Sequence, residues 1–529
     1  MAVPSPQPRA TPAGGLPQFR RDAGDGAGSR SGGRGGVHPW IGFWLRDGRA
    51  LALLGAAVLC LLFVLAYAAD PALPGSRADQ PAGWWGWFDQ AQTLRSTAAL
   101  ASGDLRPSEH HYFLGYSLLG VPFWLLGASD PFAAVNLLSL LAAFGGFVAL
   151  ARRLGLPVAL SVPLFLFAAA TDATLFRQWV VPWNTTPIGG AMWLLLALGA
   201  AWLDGVRRPV VVGLLTAGIL ACRPGEAVLL LPILLTIAWT ELRARRWRSF
   251  PWLALGGLIV ALPVGVLYLL IYGPQPSNYM RISAGIGFSL HDLGWKAFVV
   301  LLDPYSWFAD GEGLVQRSPW MALALPGALV ALLRGPRDRM LAATLAVHAV
   351  FYVSYVDLLP TGLWRFLNVH YWVWAIPGYA LLAALLGRDL LRGPNRLRLA
   401  VAGALVVSAA VLCLRFEPKA AGVEQPAKAV DFAGPLPPFL GTYFGVLALR
   451  DRWGTLYNNG DVRALVYPGG VRVVALRRPL VGPLEWLPDQ APPGFDPAAP
   501  QTRWVASLRW GWPRWIERAK PPRVPIPVQ

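Results

Sequence analysis

The sequence predicts an all-α polytopic membrane domain of about 11 transmembrane helices, followed by a small β-rich domain outside the membrane. Three observations carry this. Hydrophobic residues make up 55% of the 529 residues and charged residues only 14%, with a mean hydropathy of +0.45, too apolar for a water-facing surface. Apolar runs of roughly 20 residues recur, separated by short arginine clusters. After Leu414 the pattern changes to short alternating runs between turn residues.

Residues 1–48 are rich in Pro, Gly, Ser and Arg, cannot bury a core, and are expected to form a disordered cytoplasmic tail. The tail is too long and polar for a signal peptide, and the run Ala50 to Ala69 behind it is long enough to span. Further spans are expected at about 131–151, 156–171, 187–203, 209–222, 226–241, 250–272, 319–333, 340–356, 369–387 and 398–414. With the amino terminus inside, the inner segments hold 22 Arg, including Arg152, Arg153, Arg207, Arg208, Arg334, Arg337 and Arg388, against nine Lys+Arg in the outer loops. This asymmetry puts the amino terminus in the cytoplasm and the carboxyl terminus outside, in the periplasm of a bacterial inner membrane protein.

The run Tyr112 to Gly127 breaks the count if it spans, so it is expected to lie as an interfacial helix on the outer face, within a long first outer loop, 70–130. A short true span is the alternative. Arg223-Pro224-Gly225 makes a tight outer turn between two helices. The membrane domain thus occupies 49–414. Residues 415–529 form the outer domain, where Val462 to Val466 and Val471 to Leu476 flank a Pro-Gly-Gly turn and Pro521 to Gln529 is extended. The 25 Trp are expected chiefly in interfacial belts.

Several functions are excluded. A net charge of +17 spread as short clusters between apolar runs reads as topology, not as a nucleic-acid face. Cys60, Cys222 and Cys413 lie inside apolar runs and form no disulfide framework or metal motif. No phosphate-binding loop, dinucleotide fingerprint or zinc-protease motif occurs. Asp303, Asp310 and Glu312 share one outer loop and are expected to be solvated.

Chemistry concentrates in the first outer loop. Trp84-Trp85-Gly86-Trp87-Phe88-Asp89-Gln90 sets a carboxylate among aromatics at a membrane surface, where charge is costly unless it meets water, a cation or a substrate. Asp89 is therefore the first candidate. Downstream follow Arg106-Pro107-Ser108-Glu109-His110-His111-Tyr112-Phe113-Leu114-Gly115-Tyr116 and a run ending Ala151-Arg152-Arg153-Leu154-Gly155.

This order of elements, with Arg223-Pro224 and Trp364-Arg365-Phe366-Leu367 further on, resembles the GT-C superfamily of membrane glycosyltransferases across about 50–390, with the protein mannosyltransferase and aminoarabinose transferase branch nearest in layout. The resemblance implies a GT-C-like fold and an enzyme of the EC 2.4 class. It would transfer a sugar from a polyprenyl-phosphate donor to a lipid, glycan or protein acceptor on the outer face, with Asp89 as general base. An inverting displacement needs one base and a stabilised leaving group. Arg223 and Arg365 are the expected phosphate ligands, with His110, His111 and Lys296 behind them. Glu109, Tyr112 and Asp172 are placed on the acceptor side or in reserve.

Two positions depart from the family pattern. Gln90 stands where many members have a second acid, and Tyr112-Phe113-Leu114-Gly115 replaces Tyr-Pro-Pro-Gly. A metal tied to an acidic pair is therefore not expected, and no cofactor is required beyond the donor. The competing readings are a lipid or solute transporter or flippase, and a noncatalytic assembly partner of the same architecture. Ionisable residues gathered at outer helix ends, without paired halves, favour surface chemistry over passage.

Overall fold

Helix covers each of the predicted apolar runs, in whole or in large part, in a computed structural model of the chain. The residues described are 48–69, 88–277, 279–280, 288, 290, 293–304, 312–355, 358, 363–364, 367–424, 428–433, 442–443, 446–447, 449–450, 456–457, 462–467, 470–475 and 501–512. The expectations for the tail, for the Trp84 to Trp87 cluster, for Asp310, for Arg365 and for Pro521 to Gln529 fall outside them.

Six described helices are long and apolar enough to cross a membrane: Gly48–Ala69, Phe132–Arg153, Thr185–Leu203, Pro224–Arg243, Ser249–Tyr272 and Asn395–Leu412. The chain is thus a multi-pass membrane protein. A seventh span exists if Val158–Ala170 and Ala173–Val180, bent by 92° at their junction, count as one. The figure of eleven full spans is not reached, because the other runs form helices that are short or carry charge at their ends. Pro209–Cys222 has 14 residues, Ile376–Arg392 has 17, and Pro336–Ser354 opens on Pro-Arg-Asp-Arg. Leu114–Leu125, the expected interfacial helix, has 12 residues, or about 18 Å at 1.5 Å per residue, short of a hydrocarbon core of about 30 Å.

The inner arginines do more than mark topology. Arg153 and Arg337 both pair with Asp204, Arg334 and Arg388 both pair with Asp389, and Arg207 Nε lies 2.9 Å from Glu241 Oε1. Arg388 also donates to the Leu154 carbonyl. These contacts tie together segments assigned to one side from sequence, so they meet at one end of the bundle. Arg334 and Asp389 are only 7% and 4% exposed, which makes theirs a buried pair, and Arg334 also meets Asp338 at 3.1 Å, so the two charges sit in a small buried network.

Tryptophan is used differently from the expectation. Trp179, Trp193, Trp202, Trp372 and Trp374 are fully buried among the helices, whereas Trp239, Trp247 and Trp252 are exposed. Two of these indoles find acceptors, Trp193 Nε1 donating to the Trp374 carbonyl at 2.8 Å and Trp202 Nε1 to Glu241 Oε1 at 2.9 Å, whereas Trp179 and Trp372 Nε1 are buried with no hydrogen-bond partner among the described residues. Close helix approach is set by glycine. A Cβ on Gly213 would sit 2.0 Å from the Leu253 carbonyl oxygen, so Pro209–Cys222 and Ser249–Tyr272 touch backbone to backbone there.

Beyond Leu414, Leu414–Glu424 pairs antiparallel with Gln501–Trp510, shifting register at Ala420/Gly422. Val462–Tyr467 and Gly470–Ala475 form a hairpin, and Lys428–Ala433 joins its second strand. Two further pairs are two residues long on each strand. Among the described residues, no sheet joins these ladders into one.

Candidate active site

Asp89 lies in the first turn of the helix Phe88–Ser102, where the unpaired N–H groups of a helix start favour negative charge. Its backbone carbonyl accepts from Thr93 Oγ1 at 2.8 Å. Facing it is Tyr112, two residues before the helix Leu114–Leu125, whose hydroxyl donates to Asp89 Oδ1. Burial raises the Asp89 pKa above the usual carboxylate range, and the Tyr112 hydroxyl and the Arg223 charge hold it down in part. The carboxylate is therefore more basic than one in water while an arginine stands within electrostatic reach.

Arg223 is placed by a chain reversal. The helix Pro209–Cys222 ends there because Arg223 is extended, with φ −161° and ψ 97°, and Pro224 opens a short 3-10 turn to Glu226. The guanidinium lies over the Tyr371 ring, 4.5 Å from the centroid, with the Tyr352 ring at 5.9 Å. Those two rings stack at 4.9 Å. Such a face contact adds cation–π attraction and fixes the guanidinium plane. Arg223 Nε is 3.7 Å from Glu226 Oε1, which already accepts from the Tyr352 hydroxyl.

Gly115 brings the two halves together. A Cβ there would lie 2.5 Å from the Ala221 carbonyl carbon and 2.6 Å from the Cys222 nitrogen. Only glycine allows the Tyr112 segment to rest on the helix end that carries Arg223. Aromatic edges extend the wall: Tyr279 lies 4.7 Å from Tyr112 and 5.5 Å from Phe113, and His111 lies 4.8 Å from Tyr112. Burial pushes the His111 pKa down, which favours a neutral imidazole.

The other predicted residues go elsewhere. His110 is buried with both nitrogens engaged, Nδ1 with Ser96 Oγ and Nε2 with the Asp104 carbonyl, each at 2.9 Å, so it braces the loop and offers no free donor to a phosphate. Glu109 is held by Arg95, with contacts of 2.5 and 2.7 Å. Asp172 caps Ala173–Val180 and pairs with Arg317 at 2.6 Å, whose guanidinium lies 4.2 Å from the Trp364 ring. Lys296 is buried and donates to the Tyr355 carbonyl. Gln90, at the position of the family's second acid, is buried and donates to the Pro182 carbonyl at 3.4 Å. No group of three or more His, Cys, Asp or Glu able to hold a metal occurs among the described residues.

Sequence reading missed Glu226, Tyr352, Tyr371 and Tyr279. Glu226 alone had a local signal, three residues after Arg223 at the same turn. Tyr352 and Tyr371 sit in apolar runs and Tyr279 in the loop after the 250–272 span, and only the fold brings them to Arg223.

The class defined by the helices and this site is a multi-pass membrane protein with an acid and a guanidinium converging in an aromatic setting. Similar solved structures include ArnT from Cupriavidus metallidurans bound to undecaprenyl phosphate, at 15% identity and a TM-score of 0.41, covering 71% of this chain and 64% of that one. The apo state of the same ArnT aligns at 16% identity and a TM-score of 0.42, covering 68% and 64%. This chain therefore spans less than two thirds of the ArnT length. No protein-family model and no curated protein matches the chain.

Proposed function

We propose that the chain is a glycosyltransferase that moves a sugar from a polyprenyl-phosphate donor to a lipid, glycan or protein acceptor on the outer face of a bacterial inner membrane, its amino terminus cytoplasmic and its carboxyl-terminal strands outside. The observation that carries the reading is the convergence of Asp89 and Arg223. The acid is made more basic by burial, and the guanidinium is fixed on Tyr371 without a short bond to any acid among the described residues. Asp89 takes the proton of the acceptor nucleophile as the nucleophile attacks the anomeric carbon. Arg223 balances the charge that grows on the departing phosphate. One base and one cation suffice for an inverting displacement, so no second carboxylate or metal is required. The undecaprenyl phosphate of the ArnT structure belongs to that protein; the same class of carrier is assigned here on the residues.

The test is purified protein in nanodiscs, first with undecaprenyl phosphate and undecaprenol as competing ligands, then with a panel of labelled polyprenyl-phosphate sugars and membrane extract as acceptor. Preference for the phosphate and label transfer lost in Asp89→Asn are the expected results. Equal binding of phosphate and alcohol would remove this reading.

A further inference from the structure

We propose that Glu226 is a positioning residue that competes with the carrier phosphate for Arg223, setting how tightly the phosphate is held and how readily it leaves after the sugar has gone. The proposal rests on reading this site as a carrier-phosphate site. Glu226 is 1% exposed and Arg223 12%, so the two charges share a largely dry environment, where each is costly alone. Yet they do not form a close bond. The Nε–Oε1 separation of 3.7 Å is beyond hydrogen-bond length.

The reason is Tyr352. Its hydroxyl donates to Oε1, the oxygen nearest Arg223, and so anchors the carboxylate where it sits, while Oε2 is buried with no hydrogen-bond partner among the described residues. An unsatisfied buried carboxylate oxygen is expensive, and direct pairing with the guanidinium would satisfy it. Glu226 is thus held back from Arg223 by the phenol, while the Tyr371 ring supports the guanidinium face. No carboxylate among the described residues closes on the arginine's fork, which leaves donors for an incoming anion, and Glu226 stays close enough to oppose overly tight binding. Once the sugar is transferred, the same carboxylate favours release of the polyprenyl phosphate.

This arrangement assigns opposite signs to two substitutions. Glu226→Gln removes the competing charge and should tighten undecaprenyl phosphate binding about tenfold, with undecaprenol binding unchanged. Tyr352→Phe frees Oε1 to bond Arg223 directly and should weaken phosphate binding by about three- to tenfold. In an Arg223→Gln background neither substitution should change the affinity. A purely structural role for Glu226 would weaken binding in both variants. The experiment is titration of undecaprenyl phosphate and undecaprenol into nanodisc-embedded protein. Unchanged or weaker binding by Glu226→Gln, or unchanged or tighter binding by Tyr352→Phe, overturns the proposal, and either variant suffices if the other does not fold. Wild-type protein that does not prefer the phosphate overturns the reading of the site, and the proposal with it.

Discussion

The Tyr112 hydroxyl donates to Asp89 Oδ1 across 23 residues of chain, joining the start of one short helix to the segment that opens the next. This bond holds the proposed base in place and opposes the effect of burial on its proton affinity. Activity needs the ionised carboxylate, so turnover falls as pH drops through its pKa. Because burial raises that pKa, the acidic limb of kcat should lie above the usual carboxylate range of about 3.9. Tyr112→Phe removes a bond that lowers the pKa and should move the limb further up. A limb that stays put in Tyr112→Phe separates the phenol from the base.

Replacing the base itself should cost chemistry and spare binding. Asp89→Asn keeps the shape but accepts no proton, and loss of a positioned base lowers kcat by about 10²–10⁴-fold. Single-turnover transfer and carrier titration measured side by side check this. Full transfer activity would pass the role to another group.

The same substitution should stabilise the fold. A carboxyl whose folded pKa is raised contributes stability that is present below its unfolded pKa and is lost as pH rises through the folded pKa. At neutral pH the ionised Asp89 therefore opposes folding, and Asp89→Asn should raise Tm by about 1–3 °C at pH 7 and by less at pH 4. Differential scanning fluorimetry at both values is the measurement.

Gly115→Val should damage both halves of the site. Its added atoms meet Ala221 and Cys222 backbone, not a flexible side chain, so the helices must part. Overpacking of this kind costs about 1–3 kcal/mol. Carrier affinity and turnover should fall together, in contrast to Asp89→Asn.

At the arginine-rich end, Asp389→Asn removes one of two carboxylates that meet the buried Arg334, the other being Asp338 at 3.1 Å, so the cost should fall below about 3–5 kcal/mol, the figure for a fully stranded buried charge. Thermal stability should drop while the folded fraction binds carrier normally. Lost affinity in that fraction would couple the two ends.

Orientation can be read by labelling. In a cysteine-free background, Arg246→Cys should be protected from an impermeant thiol reagent in intact cells and Gln275→Cys should react, since both positions are exposed. The reverse pattern would move Asp89 to the cytoplasmic face.

The sequence by itself determined where helices form, though not how many of them are long enough to cross the membrane. Hydropathy is a local, additive property, and arginines between apolar runs report it directly; Arg153, Arg337 and Asp204 duly meet at one end. Asp89 stood out as a carboxylate set among aromatics, and Arg223 through the resemblance to a known family. Tertiary structure decided what those charges meet. Glu226 and Tyr352 are 126 residues apart, and no local pattern marks their bond. His110 looked like a phosphate donor until Ser96 and the Asp104 carbonyl took both ring nitrogens, and the buried tryptophans looked interfacial until the packed helices enclosed them, with the Trp374 carbonyl reaching Trp193. Hydrogen-bond partners and burial depend on which helices lie side by side, a relation set by close contacts such as Gly115 on Ala221, and one-dimensional hydropathy does not carry that information.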